Sequence, residues 1–126
     1  MDTLTSPKES AVEFLRLAAA GQVDEAFSRF VGQTFRHHNP HFAGDAQSLK
    51  AGMRENAARF PHKIFEVQRT IAEGPLVAVH SRVRMQPDSS SIAVVHVFRF
   101  EGQKIVELWD IGQPEPATIV NQHGMF

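Results

Sequence analysis

Ile92-Ala93-Val94-Val95-His96-Val97-Phe98-Arg99-Phe100 and Lys104-Ile105-Val106-Glu107-Leu108-Trp109-Asp110-Ile111, joined through Glu101-Gly102, decide the architecture of this chain. Both runs are dense in β-branched and aromatic residues, and the Glu-Gly between them is a turn signal, so they read as one long β-hairpin. Toward the N-terminus, Ile64, Val67 and Ile71, then Leu76-Val77-Ala78-Val79, repeat that character around Gly74-Pro75 and predict a second hairpin. Pro87-Asp88-Ser89-Ser90-Ser91 is the turn cluster that separates the two. Further upstream the apolar period changes from two to three and four. Ser6-Pro7-Lys8-Glu9 combines an N-cap, Pro at the first helical position and the capping-box spacing. Behind it Ala11, Val12, Phe14, Leu15, Ala18 and Ala19 form a helical stripe that Gly21 ends. Asp24-Glu25 opens a second helix carrying Ala26, Phe27, Phe30 and Val31 as far as Gly32. A third runs from Asp45 or Ser48 to Arg59, with Leu49, Met53, Ala57 and Phe60 on one side and Pro61 closing it. Residues 34–40 are too short and polar for a helix, and Asn39-Pro40 marks a turn; residues 113–126 read as extended or irregular.

Helices followed by four long antiparallel strands make an α+β pattern. Strands of about nine to twelve residues exceed the usual ~5–6 and should twist and curl. The expected architecture is therefore a cone-shaped barrel, with three N-terminal helices packed on a strongly curved, mostly antiparallel sheet around a hollow interior. Composition agrees. A chain of 126 residues suits one domain over residues 1–126, without repeats or linkers. The absence of cysteine removes disulfides, thiolate metal sites and Cys nucleophiles. Thirteen Lys+Arg against fourteen Asp+Glu, with no basic run, lack the electrostatic footprint of a nucleic-acid binder. No apolar run approaches the ~20 residues of a membrane span. The stretch from Met1 to Glu9 is not followed by the apolar segment of a leader, so a soluble, cytoplasmic domain is expected.

Four segments together carry a family likeness: Arg36-His37-His38-Asn39-Pro40, Glu73-Gly74-Pro75-Leu76-Val77-Ala78-Val79-His80, the run from Val97 to Asp110, and Asn121-Gln122-His123-Gly124-Met125-Phe126. In that order they cover almost the whole chain. The chain resembles the SnoaL-like polyketide cyclase family of the nuclear transport factor 2-like superfamily. The resemblance implies a cone-shaped α+β fold and a homodimer formed through the outer face of the sheet. It also implies an acid/base role for Asp110 at the end of the last long strand, assisted by a histidine to which His80 or His96 would correspond. The chain departs from the family pattern at Leu108, where relatives often have His. It departs again at Phe35 and His37, where Tyr and Gln are common.

The residues point the same way by their own chemistry. If Arg99 faces water, His96, Phe98 and Phe100 share the opposite face, and an imidazole among phenyl rings favours its neutral form. Asp110 follows Val106 and Leu108 in alternation, on a face otherwise apolar. A carboxylate there costs several kcal/mol unless it is paired or hydrogen-bonded, so His38, His80 or His96 should lie beside it. For His80 two arguments disagree. Alternation with Val77, Val79 and Val83 sends it outward beside Arg82 and Arg84, whereas the resemblance puts it inside; the expectation adopted is pocket-lining. Trp109, on the parity of Glu107 and Ile105, suits packing or a dimer interface, and is retained as a further lining residue. In His37-His38-Asn39-Pro40-His41 neighbouring histidines face opposite ways and no third ligand is evident, so no metal is expected; His38 is placed at the cavity mouth. Neither a phosphate-cradling glycine motif nor a serine-nucleophile elbow is present, and no cofactor is expected.

Three readings result. The first is a cofactor-independent enzyme of the cyclase, isomerase or hydratase kind. Phe14, Phe30, Phe98, Phe100 and Trp109 would bind a small hydrophobic organic substrate bearing a carbonyl. Asp110 would move protons, and His80, His96 or His38 would polarise the carbonyl or position water. The second is a noncatalytic domain that captures a hydrophobic small molecule in the same cavity. The third is a dimerisation or interaction module whose cavity has collapsed.

Overall fold

Ser6 Oγ accepts the backbone N–H of Glu9 at 3.1 Å while the Glu9 carboxylate accepts that of Ser6 at 3.2 Å, and this reciprocal cap starts α1 (Pro7–Ala19). These contacts come from a computed structural model that describes residues 5–126; residues 1–4, part of the stretch read above as carrying no leader, lie outside it. Gly21, at φ +88°, reverses the chain into α2 (Val23–Phe30). Asp45 caps α3 (Ala46–Arg59) by accepting the Ser48 N–H at 3.0 Å. Five strands follow or intervene: β1 (Val31–His37), β2 (Ile64–Glu73), β3 (Leu76–Arg84), β4 (Ile92–Glu101) and β5 (Lys104–Pro114). They form one sheet in the order β1-β5-β4-β3-β2.

The α+β class and the three helices on a curved, mostly antiparallel sheet are as the sequence predicts. Two features differ. The sheet is not closed into a barrel, because β1 and β2 remain its edges. It also holds a fifth strand: α2 stops at Phe30, Val31 is already extended, and β1 pairs in parallel with β5 through Val31↔Ile105, Arg36↔Glu107 and His37↔Leu108. Phe35 and His37 of β1 are buried and Thr34 and Arg36 exposed, the alternation of a half-covered edge strand. Register shifts between Val67 and Arg69 on β2, between Arg99 and Phe100 on β4, and within β1 bend the strands, and long curled strands make a concave inner face.

The helices fill one half of that concavity. Phe14 of α1 lies 5.5 Å from Phe27 and 5.9 Å from Phe98, ring centre to ring centre, and Phe98 is 6.4 Å from Phe100. Val77, Val79, Ile105 and Leu108 complete a floor from which water is excluded. Each such side chain contributes about 1.5–3 kcal/mol through burial. The other half, from His96 toward the start of β4, is left open beneath α1 and α3.

Candidate functional site

His96 and Asp110 are direct cross-strand partners on β4 and β5, so both side chains rise from the same inner face one strand apart. They line a cavity of about 270 Å³ whose walls are Leu15 and Ala18 of α1, Leu49 and Met53 of α3, Phe65 of β2 and Val94 of β4. Met85, Val83 and Phe42 extend this apolar wall. His96 is half-buried and stacks at 6.2 Å on Phe98, and its buried Nδ1 has no hydrogen-bond partner among the described residues. Burial pushes its pKa down to about 4, against the opposing pull of the nearby Asp110 carboxylate. The imidazole is therefore neutral at ordinary pH. Asp110 is half-buried as well, and one of its oxygens accepts the Asn39 side-chain amide at 2.9 Å.

Asn39 reaches the site because the chain turns directly after β1. Its Oδ1 accepts the His41 N–H at 2.9 Å, and its own N–H donates to His37 Nδ1 at 3.1 Å, which fixes the amide over Asp110. His37 Nε2 in turn donates to the Ala43 carbonyl at 2.6 Å. On the far side of the cavity Lys63, just before β2, donates to Asn56 Oδ1 of α3. The polar inventory of the hollow is Asp110, His96, Asn39, Lys63 and Asn56. Among the described residues no group of three metal-ligating side chains converges.

The structure brings together only two of the four histidine and aspartate residues singled out from sequence. His38 lies on the opposite face of the sheet, where its ring stacks 5.0 Å from Trp109 and its Nε2 donates to Glu107 at 2.6 Å. Glu107 also accepts from Arg36 Nε and Arg99 Nε, each at 3.0 Å, and these bonds hold its pKa down to about 2. His80 also faces outward: Arg69 donates to its Nδ1 and its ring stacks 6.0 Å from Phe126. Alternation placed His80 correctly, and the family resemblance did not. Trp109 shares that outer face and does not line the cavity. Nor do Phe14, Phe30, Phe98 and Phe100, which are consumed in the closed half of the core. The parity argument for Asp110 needs one repair, since Ile105 and Leu108 belong to the inner core and Val106 does not. The irregularity at Arg99/Phe100 resets the alternation between them.

Sequence reasoning passed over Asn39, Asn56 and Lys63. A signal existed for Lys63, which shares the strand parity of Phe65 and Val67, two residues that pack against the core. Asn39 was read only as a turn former, and its side chain does both jobs.

Comparison with known proteins places this geometry. A NTF2-like protein of unknown function from Cytophaga hutchinsonii superposes with a TM-score of 0.71 at 17% identity, covering 90% of this chain and 95% of that one. A cystatin-fold protein from Novosphingobium aromaticivorans gives 0.72 at 23% identity, covering 85% and 98%. A candidate polyketide cyclase from Acidithiobacillus ferrooxidans gives 0.67 at 18% identity, covering 89% and 91%. These likenesses establish the fold. Curated proteins give no match. The model of the SnoaL-like domain matches residues 11–108, from within α1 to Leu108 on β5, and the chain belongs to that family.

Proposed function

We propose that this protein is a cofactor-independent acid–base enzyme acting on a compact, hydrophobic, carbonyl-bearing molecule held in the cavity. The observation that carries the reading is the pairing of Asp110 with a neutral, unpartnered His96 inside an apolar hollow. Native proteins rarely leave a buried ring nitrogen unsatisfied without a use for it. With the ring rotated toward the hollow, a substrate oxygen would supply the missing partner.

In this reading an Asp110 oxygen takes a proton from the carbon next to a substrate carbonyl. The electron pair moves onto the carbonyl oxygen, which an N–H of neutral His96 stabilises by hydrogen bonding. Returning the proton to a different carbon gives an isomer. If the carbanion instead attacks a second carbonyl carbon, a ring closes and Asp110 hands its proton to the new alkoxide. Asn39 orients the carboxylate throughout. Such a pair supplies on the order of 10²–10⁴ in rate. A cavity of about 270 Å³ lies at the small end of ligand pockets, which favours a molecule of one or two rings.

A second reading is noncatalytic capture of such a molecule, and the predominantly apolar walls favour it. Proton exchange separates the two. With a panel of small aryl ketones in D2O, the protein should catalyse exchange of the protons next to the carbonyl, and Asp110→Asn should abolish that exchange while retaining ligand binding. Binding without exchange by the unmodified protein would establish capture alone.

We propose further that residues 1–126 act as one domain and that two copies pair through the outer face of the sheet. There Ile71 and Ile111 remain 63% and 64% exposed on neighbouring cross-strand rows, beside Ala78, Val97 and Val95. Sedimentation at micromolar concentration should give a dimer, and Ile111→Glu a monomer; a monomeric unmodified chain would refute it.

A further inference from the structure

Lys63 is the one lysine or arginine that lines the cavity, and its position is set by chain geometry. It follows the turn after α3 on the strand parity of Phe65, so its stem runs along the inner face toward the hollow. Its ammonium donates to Asn56 of α3, which also lines the cavity. Five other cations find carboxylates: Arg29, Lys50 and Arg54 pair with acidic residues on the helices, and Arg36 and Arg99 with Glu107, and none of these lines the cavity. Lys63 pairs with none among the described residues, and Asn56 is a neutral acceptor. Burial lowers its pKa, and no neighbouring carboxylate offsets that effect. A half-buried cation against apolar walls is satisfied best by an anion arriving with the ligand.

We propose that Lys63 is a specificity-determining anchor for a carboxylate on the ligand, so that the cavity takes compact apolar oxo-acids. The proposal rests on the cavity being a ligand site, as argued above, and adds the ligand's class. The topology also restricts where the carboxylate sits. Lys63 enters from the β2 edge just before the Ile64↔Arg84 pair and Asp110 from β5 on the row of His96 and Val79, so they start three strand spacings apart, roughly 14 Å across the sheet, and several residues apart along it. The carboxylate and the carbonyl handled by Asp110 and His96 must therefore lie at opposite ends of the ligand, as across an aromatic ring, rather than on adjacent carbons.

4-Acetylbenzoate has this form, 4-acetylbenzamide is its neutral counterpart, and phenylglyoxylate places the two groups side by side. Calorimetric titration of the full chain should show 4-acetylbenzoate binding about tenfold tighter than either, the usual size of one charge-assisted hydrogen bond. The preference over the amide should shrink as salt is raised. Lys63→Met should bring the acid and the amide to equal affinity, while Lys63→Arg keeps the order. Equal affinities in the unmodified protein, a preference that survives Lys63→Met, or no saturable binding of either 4-acetyl probe would overturn the proposal. The acetyl protons of the same probe report separately on Asp110. Loss of exchange with the acid preference intact would remove the catalytic reading and leave the anchor standing; exchange without the preference would do the reverse.

Discussion

On each face of the β4–β5 hairpin a carboxylate lies beside a histidine, Asp110 by His96 of β4 within and Glu107 by His38 from the chain after β1 outside, and the two pairs are built to opposite ends. On the outer face Glu107 is 6% exposed at its side chain and saturated by Arg36, Arg99 and His38, with His38 stacked on Trp109. Every strong acceptor direction of that carboxylate is used, and nothing is left for a ligand. On the inner face Asp110 holds a single amide and His96 keeps an unpartnered nitrogen among apolar side chains. The same two residue types thus serve cohesion where hydrogen bonds are complete and remain available for chemistry where they are not. The incompleteness marks the site better than residue identity does.

The largest test of that contrast is kinetic. Asp110→Asn should lower proton exchange on a bound aryl ketone by 10²–10⁴ or on that order, whereas Glu107→Gln should leave exchange of the folded fraction within a few-fold. Equal losses would erase the distinction between the faces.

The next test is acid stability, where the two faces titrate in different windows. His96 stays neutral in the fold down to about pH 4 but takes a proton near 6.5 when unfolded, so the unfolded chain binds more protons between those values. Stability should fall by up to about 3 kcal/mol as pH drops from 6.5 to 4 through this group, and a His96→Phe variant should flatten that slope. Glu107 is held down at about 2 against 4.5, so its contribution is present above 4.5 and is lost as pH falls from there toward 2. Denaturant midpoints measured across both windows check the order. Smaller again, Glu107→Gln at neutral pH should cost about 2 kcal/mol by weakening its bonds to Arg36, Arg99 and His38.

How much of this was legible follows from which arguments were local. The β4–β5 hairpin and the capped helices rest on runs and turns within a few residues, and they stand in the structure as read. Edge strand β1 does not, because its pairing with β5 is parallel and distant, and Gly32-Gln33-Thr34 blurs the alternation that Phe35 and His37 begin. Alternation also fails silently at Val106, since a register irregularity inserts a residue without changing composition. The phenylalanines were assigned to the cavity because they are apolar, yet bulky rings also fill the closed end of a core best, and there they are. Lys63 was overlooked because a lysine beside a turn is ordinarily solvated; only its parity with Phe65 distinguishes it.

The smallest expected effect concerns the cavity rim. Gly52 sits within α3 where a methyl group would collide with the ring of Phe42, so the glycine makes room for that ring over the hollow. Gly52→Ala alone should change stability little, because the helix gains about 1 kcal/mol and the displaced ring loses contacts. In a Phe42→Ala background the same substitution should show its full gain of about 1 kcal/mol in thermal or denaturant unfolding. An equal effect in both backgrounds would separate Gly52 from Phe42.

A neutral His96 beside Asp110 is what the proposed chemistry requires, and proton-detected NMR titration of its ring reports this directly. His96 should stay neutral until about pH 4. In Asp110→Asn its midpoint should move lower still, because the carboxylate that favours the imidazolium is gone. A His96 that titrates near 6.5, unmoved by Asp110→Asn, would contradict that chemistry.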